Sequence, residues 1–99
     1  MYEKIDYNSF YRLVGDNIKR IRMEHNDSQE AFAEKIDMSR GFLSQVESPG
    51  LEGIGVSLDT LLKICIVYNV DIREFFEGFD KLINIKNNPN IEIKEYVNN

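Results

Sequence analysis

One histidine and one cysteine bound the chemistry open to this chain. A catalytic triad or an imidazole metal site would have to rest on His25, and a thiolate site on Cys65. His25 ends a helical stretch, where a cation suits the helix dipole. Cys65 falls on an apolar stripe, where it serves as a small core hydrophobe. Gly50, Gly53 and Gly55 lie close together. The Lys of a phosphate loop and the third Gly of a dinucleotide fingerprint are missing there, and no strand precedes them. No catalytic residue, metal ligand or cofactor is expected, and the chain is not expected to be an enzyme.

The 99 residues suffice for one small domain, and 42% of them are hydrophobic, too many for a disordered chain. Twelve basic against 17 acidic residues give a net charge of -5. That balance argues against a protein that coats nucleic acid or anionic membrane nonspecifically. It leaves open a protein that reads one short site. The opening MYEKIDYNSFYR has no apolar stretch of the secretory kind, and the longest apolar run, Ile64 to Tyr68, is far too short to span a membrane. A cytoplasmic protein without membrane contact is expected.

Helical periodicity organises residues 9 to 77. Phe10, Leu13, Val14, Ile18 and Ile21 recur at spacings of three and four, which predicts an amphipathic helix from Ser9 to His25. Gly15 should weaken it, bend it or make it restart. Asn26-Asp27-Ser28 predicts a stop followed by an N-cap, then a short helix over Gln29 to Ile36. Ser39 caps the next, Arg40 to Glu47, with Leu43 and Val46 inward. Two short helices on a brief link form a helix-turn-helix unit. Ser57 caps a helix from Leu58 to Tyr68, whose buried stripe should be Leu58, Leu61, Ile64, Cys65 and Tyr68. Asn69 suits a left-handed end. Asp71 caps a last short helix, Ile72 to Glu77, burying Phe75 and a candidate second ring, Phe76. Beyond it, Leu82 to Lys86 and Ile91 to Lys94 alternate apolar and polar around Asn87-Asn88-Pro89-Asn90. A β-hairpin is the preferred reading, and two helical turns broken at Pro89 are the alternative.

The segment GDNIKRIRMEHNDSQEAFAEKIDMSRGFLSQVE, followed by SLDTLLKICIVYNVDIREFF, resembles the λ-repressor/Cro-type helix-turn-helix family, also called the XRE family. The likeness covers about two thirds of the chain, Leu13 to Phe76. Ile18, Ile21 and Arg22 match the family's first helix. Ser28-Gln29-Glu30 matches the opening of its second, Ala33 its small contact residue, and Glu47 the Glu that closes its recognition helix. The resemblance implies an all-α, five-helix λ-repressor-like domain at 13–78. Residues 1–12 would extend the first helix, and 79–99 would be a C-terminal extension and candidate dimerisation element. Three departures stand out: Asp37 replaces the usual turn Gly, and Asp27 an apolar residue. The loop from Ser48 to Val56 is longer than usual, carries Glu52 and has no Lys or Arg.

The resemblance also implies a site. The helix from Arg40 to Glu47 would lie in the major groove of DNA. Arg40, Gly41 and Ser44 would face outward, with Gln45 on the rim. Arg40 can bond the O6 and N7 of a guanine, Gln45 an adenine edge or a phosphate, and Ser44 either. Gly41 offers no side chain. Phe42 would touch a thymine methyl or cover the long loop. Gln29 would bond a phosphate, and Ser39 would cap its helix or contact DNA. Lys19, Arg20 and Lys35 are candidate phosphate ligands, with a solvated surface as the plainer reading. Arg22 and Glu47 would form a partly buried ion pair joining the first and third helices.

Residues 26–47 carry two basic and five acidic groups, so even the motif is acidic. Few phosphates can be neutralised, and two copies on a two-fold site would multiply the contacts. Tyr2, Tyr7, Phe10, Tyr11, Phe75, Phe76 and Phe79, with the Ile residues of 83–93, are the candidate homodimer surface. The expected function is a sequence-specific DNA-binding transcriptional regulator, a repressor or autoregulator acting as a homodimer on double-stranded DNA. The alternative is a protein-interaction module of the same fold, an antitoxin or regulator-pairing protein with weak DNA binding and a protein partner.

Overall fold

The computed structural model describes residues 7–83. Its elements are α1 (Tyr7–Glu24), α2 (Gln29–Lys35), α3 (Arg40–Glu47), α4 (Leu58–Tyr68), a 3-10 helix (Ile72–Phe76) and α5 (Phe79–Ile83). All regular structure among the described residues is helical, as expected. No helix there is long and apolar enough to cross a membrane.

Local chemistry sets the boundaries. Ser28 Oγ accepts from the Ala31 N–H at 3.0 Å, Ser39 Oγ from Phe42 at 3.1 Å and Ser57 Oγ from Thr60 at 3.2 Å. Asp71 caps the 3-10 helix through the Arg73 N–H at 2.8 Å. Each cap satisfies a donor that the first turn leaves unpaired. Asn26, Asp37 and Asn69 hold φ of 58°, 58° and 55°. These left-handed residues end their segments, and short polar side chains tolerate that conformation best. Asp37 thus fills the turn position where the family has Gly.

The core is one cluster. Ile18 and Ile21 of α1 meet Phe32, Ala33 and Ile36 around α2, Leu43 and Val46 of α3, Leu61 and Ile64 of α4, and Phe75. Asn17 is also buried, and its Nδ2 donates to the carbonyls of Phe75 at 2.8 Å and Glu77 at 3.1 Å. That amide ties α1 to the end of the 3-10 helix and leaves no donor wasted.

Several expectations change. Among the described residues α1 already includes Tyr7, and it runs through Gly15 without a break. Gly15 is buried where α3 crosses, and a Cβ there would lie 2.1 Å from the Val46 carbonyl oxygen. Close helix approach, and not a break, explains the glycine. Leu58 is 61% exposed and lines an apolar groove of about 260 Å³ together with Phe10, Tyr11 and Val14 of α1. Cys65 is half-buried against the core. Phe75 is fully buried and drops out of the candidate dimer surface, whereas Phe76 is 43% exposed. Phe10 and Phe79 pack on each other at 5.2 Å, joining α5 to α1. Leu82 and Ile83, the start of the expected hairpin, close α5. The remainder of that hairpin lies outside the described residues.

Candidate nucleic-acid interface

α3 presents one side of its surface to the core and the other outward. Leu43, Val46 and Glu47 are buried, Ser44 is half-buried, and Arg40, Gly41, Phe42 and Gln45 are exposed. Helical pitch places Gly41 and Gln45, one turn apart, at the centre of the outward face. Phe42 flanks that centre on one side, Ser44 and Arg40 on the other. Gln45 is thus more central, and Ser44 less exposed, than expected. The reason is that Glu47 is buried with Leu43 and Val46, which widens the inward face toward Ser44 and Arg40.

What draws Glu47 inward is Arg22. Arg22 Nε and Nη2 donate to the two Glu47 oxygens at 2.7 and 2.9 Å, a bidentate pair between α1 and the end of α3. Arg22 Nη1 donates to the Asp27 carbonyl at 2.8 Å. The Glu47 side chain is fully buried and that of Arg22 is 12% exposed. The bonds from Glu47 hold the Arg22 guanidinium above its usual pKa despite its burial. The structure therefore forms the ion pair that the resemblance implied. Gln29 joins it, its Nε2 donating to Glu47 Oε1 at 3.0 Å.

A second cluster accounts for Asp27. Tyr68 Oη donates to Asp27 Oδ2 at 2.5 Å, and Lys35 Nζ bonds the same oxygen at 2.9 Å. Lys35 also lies 5.6 Å over the Tyr68 ring, which stacks on Phe32 at 4.9 Å. His25 meets that ring edge-on at 4.9 Å, and its Nδ1 is bonded to the Ile21 carbonyl at 2.8 Å. The Tyr68 and Lys35 bonds hold the Asp27 carboxyl below its ordinary range. Burial first, and then Asp27, push the Tyr68 hydroxyl up. A polar residue thus stands before Ser28 because it ties the α1–α2 turn to α4.

The expected phosphate ligands divide. Lys35 is held by Asp27. Arg20 pairs with Glu24 at 3.1 Å, Glu74 at 3.4 Å and Glu77 at 3.3 Å, clamping α1 to the 3-10 helix. Lys19 and Arg40 are exposed and form no ion pair among the described residues. Ser39 caps α3, as the plainer reading of it held. The long loop is pinned to α1: Arg12 Nη1 donates to the Leu51 carbonyl, and Gly53, at φ 68°, sits where a Cβ would be 2.7 Å from the Asn8 carbonyl oxygen. Gly15, Asn17 and Asp27 are positioning residues whose partners the sequence pattern did not give. An amide on an apolar stripe was the available signal for Asn17.

A helix-turn-helix family model matches residues 18–75. The chain is 35% identical over 68 residues to the control protein C.MunI of Mycoplasma sp, across 68% of this chain and 88% of that protein. No solved structure gives a significant match. The matched residues run from the core of α1 through α2 and α3 to the buried Phe75, so they include the whole outward face and the ion pair behind it. The chain belongs to the XRE-type helix-turn-helix family of DNA-binding transcriptional regulators.

Proposed function

We propose that the protein is a non-catalytic repressor or autoregulator of a small operon, reading a two-fold operator as a homodimer in the cytoplasm. The observation that carries this reading is the outward face of α3. Gln45 at its centre and Arg40 at its edge are exposed and form no side-chain hydrogen bond or ion pair among the described residues, while Glu47 behind them is locked to Arg22 and Gln29. Arg40 reads a guanine and Gln45 an adenine edge or a phosphate. Gln29, Ser39 and Lys19 supply backbone contacts that set the register. The relative named as a control protein supports a regulatory role.

Pairing of two copies is supported by apolar surface. Leu58, Leu62 and Ile66, one turn apart along α4, are 61%, 43% and 80% exposed. Phe76 continues the surface across the groove. A second copy is the partner that fits a reader with so few cations, because it doubles the contacts at a spacing of about 34 Å. Gel shifts on the DNA upstream of its own gene, with sedimentation of the free protein, test the reading. A shift by a dimer is expected. Leu62→Glu should give monomers that bind weakly. Absence of a shift at any inverted repeat there would favour the protein-interaction module instead.

A further inference from the structure

Three of the glycines have reasons inside the fold. Gly15 meets the Val46 backbone, and Gly53 and Gly78 hold positive φ of 68° and 93°. Gly41 has none of these. It is exposed, it lies in the first turn of α3, and a Cβ there would meet nothing within 4 Å. Glycine weakens a helix relative to alanine, so the fold alone would favour a side chain. The next residue is anomalous in the opposite sense. Phe42 is 38% exposed and stacks on no other ring among the described residues. Its backbone N–H is fixed by Ser39 Oγ. A bare Cα and a partly exposed aromatic therefore stand side by side on the outward side of α3.

We propose that Gly41 and Phe42 form one apolar reading element that selects thymine. This rests on the DNA-reading role argued above and names the base it seeks. With no side chain at residue 41, the α3 backbone can settle directly on the floor of the major groove. That approach carries the Phe42 ring onto the C5-methyl group of thymine, the one apolar group on the major-groove edges. Cytosine offers no such group. Covering a methyl also needs no charge, which suits an acidic reader.

The test begins with an operator selected from random DNA by the wild-type protein. Replacing one thymine per half-site by uracil removes a methyl and leaves the pairing edge intact. At the thymine that Phe42 covers, the expected loss of wild-type affinity is about four-fold, the value of one buried methyl. Phe42→Ala should bind thymine and uracil operators equally. Gly41→Ala should melt at the wild-type temperature or higher and yet bind the operator more weakly. The assignment is overturned if uracil at every position leaves wild-type affinity unchanged, if Phe42→Ala keeps the wild-type preference for thymine, or if Gly41→Ala binds as wild type does. If the wild-type protein selects no sequence at all, the DNA-reading role itself fails, and this assignment with it.

Discussion

Gly15 of α1 lies against the Val46 carbonyl of α3 so closely that a Cβ would sit 2.1 Å from that oxygen. The recognition helix is thus seated on α1 by direct backbone contact. Alanine at residue 15 would gain helix propensity of about 1 kcal/mol. It must also push α3 away, and overpacking of this kind costs about 1–3 kcal/mol or more. Gly15→Ala should therefore lower the melting temperature and weaken operator binding together. A variant that melts higher than wild type would show that the two helices are not in this contact.

The Arg22–Glu47 pair makes a sharper prediction. Arg22→Ala would leave a buried carboxylate with Gln29 as its remaining donor among the described residues. Stranding one member of a buried pair costs about 3–5 kcal/mol. Urea denaturation should register that loss. Unchanged stability with lost DNA affinity would move Arg22 from the scaffold to the DNA contact set.

Acid should loosen the domain in a defined window. Asp27 is held below its usual 3.8 by Tyr68 and Lys35, and Asp71 is held at about 2 by Arg73. A carboxyl depressed in the folded state adds stability above its unfolded pKa, and that stability is lost as pH falls through the folded pKa. Both contributions are therefore complete at neutral pH and shrink as pH falls below about 4, that of Asp71 on passing through about 2. Asp27→Asn should be less stable than wild type at pH 7, with a difference that narrows as the pH falls below about 4, by urea midpoints. A difference that stays constant across that range would remove Asp27 from this account.

Salt dependence should be shallow. Arg20 and Lys35 are engaged by carboxylates, which leaves Lys19 and Arg40 as the cations on this part of the chain without an ion pair among the described residues. Two such groups on each of two copies give a slope of log affinity against log salt of about -4 at most. Titration of operator binding with salt measures it. A slope near -10 would require basic contacts that these residues do not supply.

The helices were legible because their signals are local. Ser28, Ser39, Ser57 and Asp71 each cap within three residues of their partners, and Asp37 and Asn69 carry their turn preference themselves. The Arg22–Glu47 pair was reached only through the family resemblance. The partners of Gly15, Asn17 and Asp27 escaped because they lie far along the chain: Val46, Phe75 and Tyr68. Periodicity names a face, and it does not name what crosses that face. Leu58 differs from its expectation for the same reason, since its place on the stripe is right and it lines an open apolar groove where a buried position was expected.

The central claim is that the outward face of α3 reads DNA, with Arg40 as its principal base contact. The most direct measurement compares wild type and Arg40→Ala on the operator and on unrelated DNA, with the melting temperature as a control. A lost bidentate contact to guanine should cost about 1–3 kcal/mol on the operator, or about 5- to 150-fold. Binding to unrelated DNA should weaken far less, and the melting temperature should not move. Equal operator affinity in the two proteins would contradict the claim.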